Sequence, residues 1–230
     1  MNHLTKKLTA LCVGAACACT LLLTPAGAAN KYDEYGQVLK TMGVMTGDEH
    51  GDLTLDSGAT RVQGLIMLLR LTGQIDAASK YTGSMPFKDV SEHYKPYVAY
   101  AYANQITAGM SDTEFGTDLP MNYKMYLSFL MRCLGYTDSG SNKDFTYDGA
   151  MDKAVSIGLV KEDERASVEQ ADVFDRGTLA YYSFQALFLP MKGQSTTSLI
   201  ESLTAQGKFS VNSVIQNDLF AAYYNKVISD

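Results

Sequence analysis

Three stretches of the chain align on one another without a gap. Gly43–Gly73 lies over Gln105–Gly135 at an offset of 62, and both lie over Gly158–Phe188 after a further offset of 53. Val44, Ile106 and Leu159 share a column, and so do Leu53, Phe115 and Val168. Gly47 and Gly109 share another, where the third copy has Glu162. A repeat of this period describes small units that cannot bury their apolar faces alone and must stack on one another.

One column carries a plain physical message. Thr60, Asn122 and Asp175 are different residues, yet each side chain can accept a hydrogen bond from an orphan backbone N–H at a helix start. In the first copy Thr60-Arg61-Val62-Gln63 also fits the reciprocal capping box. Apolar residues then follow at helical spacing: Leu65, Leu68 and Leu69; Leu127, Leu130, Met131 and Leu134; Leu179, Phe184 and Leu187. Gly73 and Gly135 stop the first two helices. Another helical stretch precedes each window, in "EYGQVLKTMGV", "YKPYVAYAYANQI" and "DGAMDKAVSIGL".

Each unit therefore reads helix, Gly- and Asp-containing loop, short extended piece, capped helix. The pattern predicts an all-α repeat module with copies at 30–80, 81–137 and 144–192. "DSGSNKD", Asp138 to Asp144, predicts a flexible link between the second and third copies. Ser198-Leu199-Ile200-Glu201 is a second capping-box match and opens a helical tail over 196–230. The end of that tail predicts a further helix, packed on the module or on another surface protein.

The first 28 residues read as a secretory signal peptide. Lys6 and Lys7 precede an apolar run from Leu8 to Leu23, and Pro25-Ala26-Gly27-Ala28 offers a small-residue cleavage site. The run is short for a bilayer span of ~20 residues. Gly14 stands three before Cys17 where a lipoprotein signal would carry a large aliphatic residue. Cys12, Cys17 and Cys19 leave with this leader, so Cys133 has no internal disulfide partner and reads as a buried structural thiol. The net charge of −6 becomes more negative without Lys6 and Lys7. An acidic chain with no basic run is ill suited to nucleic acid or an anionic membrane. Trp is absent and Tyr abundant, at 15 residues. Tyrosine suits both cores and sugar contact.

"FKDVSEHYKPYVAYAYANQITAGMSDTEFGTDLPMNYKMYLSFLMRCLGY" resembles an S-layer homology domain. Phe87-Lys88-Asp89-Val90 matches the family's F-x-D-V opening. Gly43-Val44-Met45-Thr46-Gly47 and Ile106-Thr107-Ala108-Gly109 match its G-I-I-x-G, and Thr60-Arg61-Val62-Gln63 matches T-R-A-E. The resemblance implies three repeats in a pseudo-threefold helical bundle, secreted and held to a Gram-positive-type cell wall. It implies binding of anionic, often pyruvylated, secondary wall polysaccharide in grooves between repeats. Carried over by position, the binding residues are Thr60 and Arg61, Asp175 and Arg176, with Gly47 and Gly109 lining the grooves. Tyr123 stands where the second copy should have arginine, and "KEDERASVEQAD" lacks the loop glycines.

Arg61 begins a helix, where the dipole disfavours a cation. An anion drawn by free helix N–H groups and gripped by the guanidinium would explain its place, and Arg176 repeats the arrangement. The tyrosines Tyr94, Tyr97, Tyr100 and Tyr102 could stack sugars. "GDEHGDLTLDSGA" is spaced like the start of a calcium loop but fails it. Counted from Asp48, the sixth residue is Leu53 and the twelfth Ala59, where glycine and an acid are needed. The loop therefore reads as a turn. No serine elbow, H-E-x-x-H or P-loop is present. The sequence reads as a non-enzymatic binding module without metal or cofactor. The alternative is a degenerate module serving as a structural or protein-interaction component of the envelope.

Overall fold

The computed structural model describes residues 30–171, 174–194 and 196–227. The signal-peptide reading lies outside the described residues. Among those described, helices dominate and no strand forms. In chain order they are α1 (Asp33–Thr41), α2 (Arg61–Leu71), α3 (Ile75–Ser79), α4 (Lys95–Ala103) and α5 (Tyr123–Cys133). Then come α6 (Ala150–Ser156), α7 (Arg165–Glu169), α8 (Arg176–Leu187), α9 (Leu199–Ala205) and α10 (Asp218–Val227). The chain is all-α.

Local chemistry sets both ends of these helices. Gln63 N donates to Thr60 Oγ1 at 3.4 Å, Met125 N to Asn122 Oδ1 at 3.0 Å and Thr178 N to Asp175 Oδ1 at 2.7 Å. The column of unlike residues is thus a column of like caps. Thr60 N also donates to Gln63 Oε1, and Ser198 N to Glu201 Oε2, completing two capping boxes. At the other end, Gly73 sits at φ 62°, where its N–H reaches Arg70 O and that of Gln74 reaches Leu69 O. Gly135 repeats this pair on Arg132 and Met131. Both pairs form the left-handed closure that glycine adopts at least cost. The first helix of each copy ends the same way at Gly43, Gln105 and Gly158, and only Gln105 (φ 58°) is not glycine.

The three capped helices α2, α5 and α8 touch one another at the centre. Leu65, Leu68, Tyr126, Leu127, Tyr182 and Phe184 are all but sealed there. Around them α1 packs on α8, α4 on α2 and α6 on α5. Each first helix therefore lies on the capped helix of the copy before it, the first copy taking the third. Tail helix α9 packs on α8 and α10 on α1, with Phe220 fully buried against Phe184 and Phe188. The tail's apolar residues are thus used within the module.

Two sequence expectations change. The third loop is helical rather than open: Glu162–Glu164 forms a 3₁₀ turn that runs into α7, and Arg165 pairs with Glu162 and Asp152. Without glycine there is no left-handed residue to turn the chain out of helix. The expected flexible link at 138–144 is pinned at both ends. Asp138 pairs with Arg132, while Asp144 pairs with Lys192 and accepts from Thr137 N at 2.7 Å.

Candidate functional site

The caps leave two N–H groups at the heads of α2 and α8, and the neighbouring copy takes them. Arg61 N donates to Leu119 O and Val62 N to Thr117 O. At the next junction Arg176 N donates to Ser57 O and Gly177 N to Leu55 O. Ser57 and Leu55 are the repeat counterparts of Leu119 and Thr117. The expectation of free N–H groups for an anion is corrected here: they hold the copies together.

The arginine side chains leave the helix head the same way. Arg61 Nη2 donates to Ala108 O at 2.8 Å, and Arg176 Nη2 to Thr46 O, its counterpart, at 3.0 Å. Their surroundings then diverge. Arg61 is only 4% exposed, with its guanidinium 4.9 Å from the Phe115 ring centroid and 5.0 Å from that of Phe129. Its Nε has no partner. Burial, then the charge of Arg132, lowers its pKa to about 10. Arg61 is thus enclosed by the protein, and its place at the helix head is accounted for by contacts inside the chain. Arg176 is half-buried, and its Nε donates to Leu53 O at 2.9 Å. Burial, then the nearby Arg70 cation, holds its pKa below the ordinary value.

Arg176 lines a groove of about 510 Å³. One wall is the first copy's loop, Thr46, Gly47 and Asp48; another is α2, through Gln63, Met67 and Arg70; Tyr94 and Tyr97 come from the start of the second copy. Arg70 Nη1 donates to Thr46 Oγ1 at 3.1 Å. Among the described residues neither Arg70 nor Arg176 has an ion-pair partner. Asp48 turns inward on its own loop, one oxygen accepting from His50 N and Asp52 N at 2.9 Å each. This closure makes "GDEHGD" a turn. Two guanidiniums beside two tyrosine rings can hold a carboxylate or phosphate borne on a sugar.

The register locates the equivalent places. Arg70 corresponds to Arg132 and then to Gln185. Arg132 grips Asp138 through Nε at 2.9 Å and Nη2 at 2.6 Å. Gln185 donates to the tail's Tyr223 hydroxyl at 3.2 Å, beneath α10. Of the three junctions, the first is the one that places two arginines with no ion-pair partner among the described residues in an open groove. The fold thus brings Gly47 and Arg176 to the open groove, with Asp175 next in sequence as the cap of α8; Thr60 caps α2 at the second junction, where Arg61 reaches the carbonyl just before Gly109. Arg70 went unweighed in the sequence, although its column with Arg132 marks it. Of the tyrosines, Tyr94 and Tyr97 reach the groove, whereas Tyr100 donates to Gln74 and Tyr102 packs on Phe87.

The loop glycines answer to backbone crowding. A Cβ on Gly47 would lie 2.4 Å from Gly51 C, and one on Gly109 2.2 Å from Ser111 O. Asp89 of the F-x-D-V opening holds the second loop, its carboxylate accepting from Phe115 N, Gly116 N and Thr117 N. Desolvation works to raise the Asp89 pKa, and these three donors outweigh it, so the carboxyl lies below its usual value. Cys133 is half-buried rather than fully buried; burial pushes its thiol up to about 12, which disfavours the reactive thiolate. No described helix is long and apolar enough to cross a membrane. Among the described residues no group of three or more His, Cys, Asp or Glu is placed to hold a metal ion.

Residues 86–124 match the family model of the S-layer homology domain. They run from the Phe87 opening through α4 and the Asp89-held loop to the head of α5. A cell surface protein of Thermoanaerobacter kivui is 29% identical over 140 residues, covering 60% of this chain and 17% of that protein. The chain matches a small part of the length of this curated relative.

Proposed function

From the S-layer homology domain carried at residues 86–124, we propose that the chain is a non-catalytic cell-surface module that binds an anionic, pyruvylated secondary wall polysaccharide of a Gram-positive-type envelope. In this reading the three copies form a pseudo-threefold bundle around α2, α5 and α8, and the polymer enters the first groove. The observation that carries it is the pair Arg70 and Arg176 in one open groove, neither with an ion-pair partner among the described residues, while Asp48 on the same wall is held by its own loop. A pyruvyl carboxylate there relieves the repulsion between two partly desolvated cations, and the planar guanidinium fork suits its two oxygens. Tyr94 and Tyr97 offer faces for the adjoining sugar rings. The name of the Thermoanaerobacter kivui relative supports a surface location.

Purified protein is incubated with pyruvylated wall polysaccharide and with the same polymer stripped of pyruvate. Wild type is expected to be retained on the first and lost from the second. Arg70→Ala should weaken retention about tenfold, the loss of one charge-assisted contact. Arg61→Met should bind as wild type does. Equal retention on both polymers, or none on either, overturns the reading.

A further inference from the structure

We propose that the second junction holds a latent carboxylate site, occupied by the chain's own Asp138. Three observations converge on it. Arg132 stands in the repeat column of Arg70, whose guanidinium faces an open groove. Asp138 meets Arg132 with both oxygens, the two-pronged geometry in which a guanidinium takes a foreign carboxylate. The two side chains are 12% and 13% exposed, so this is not a solvated surface pair.

Arg132 Nη1 is held on Ile106 O at 3.1 Å, which fixes the fork toward Asp138. Arg61 lies close enough for its charge and that of Arg132 to oppose each other, and its Nε is buried without an acceptor. Removing the Asp138 carboxylate therefore leaves two enclosed cations and takes the one carboxylate off the Arg132 fork; Asp89, whose charge Arg61 also feels, is spent on three backbone N–H groups. A small carboxylate from solution fits the vacated place, because the fork, its anchor and the excess positive charge all remain.

Asp138 comes from the turn just beyond α5, six residues from Arg132. A tether that short gives its carboxylate an effective concentration in the mM range or above. Dilute free carboxylates therefore do not displace it. The site is closed in the natural sequence, and polymer binding is confined to the first groove. The inference rests on the proposed function only for the meaning of the Arg70–Arg132 register.

The test is thermal unfolding of the purified protein in sodium acetate and in sodium chloride of equal ionic strength. Asp138→Ala should unfold at a lower temperature than wild type. At roughly 0.1 M acetate its midpoint should rise by about 3 °C more than that of wild type, and the gain should saturate. The double variant Asp138→Ala/Arg132→Gln should lose that extra gain. Asp138→Ser serves the same arms if the alanine variant does not fold. An acetate gain no larger than that of wild type, or one that survives in the double variant, overturns the proposal. A positive acetate response with no polysaccharide retention would leave this inference standing and remove the proposed function; the reverse result would remove this inference alone.

Discussion

Arg61 and Arg176 leave their helices along the same path and end in different settings. Leu53 and Met67 near the first groove become Phe115 and Phe129 at the second, and the larger rings sandwich Arg61. Arg61→Ala should cost about 2–4 kcal/mol, through lost ring contact and the cavity left behind. Arg61→Met should stay within about 1 kcal/mol of wild type, since it fills the space and removes a desolvated cation. Urea denaturation separates the two, and a large loss in both would show that the charge itself stabilises the junction. Gln105 sits left-handed and exposed where the other two copies have glycine. Left-handed backbone costs a side-chain-bearing residue about 1–2 kcal/mol. Gln105→Gly should therefore raise stability, by up to about 1 kcal/mol after the entropy of glycine is counted. An unchanged denaturation midpoint would contradict this account of α4's end.

The helices owe their starts to caps and their seats to the neighbouring copy. Asp175→Ala should cost about 1 kcal/mol, as a lost N-cap does. A loss well above that would mean the cap also governs the bonds to Leu55 and Ser57. Asp89 works between elements, tying the approach to α4 to the extended piece before α5. Its folded pKa is depressed, so its contribution is present above the unfolded value of about 3.9 and lost as pH falls through the lower folded value. Stability of wild type should therefore fall more steeply than that of Asp89→Asn as pH drops below about 4. Parallel acid limbs in the two denaturation series would rule the carboxylate out. Asp89 is exposed enough that the difference will be modest.

Across the whole molecule, the three helices α2, α5 and α8, capped at matching positions, meet their neighbours at three different junctions. The first is open and cationic, the second is filled by Phe115, Phe129 and the Arg132–Asp138 pair, and the third is covered by α10. Phe220 is the centre of that cover, packed on Phe184 and Phe188. Phe220→Ala should cost about 3–5 kcal/mol while leaving polysaccharide retention intact below its unfolding temperature. Retention lost from a folded Phe220→Ala protein would move the binding site toward the tail. Caps, stops and helix spacing were legible in the chain, because each depends on neighbours within a few residues. The opening motif led to Asp89 but not to what it holds. Tertiary structure alone decided which arginine is reachable. The burial of Arg61, the pairing of Arg132 with Asp138 and the exposure of Arg70 and Arg176 depend on side chains that meet only when one copy docks on the next, and local spacing carries no record of those meetings.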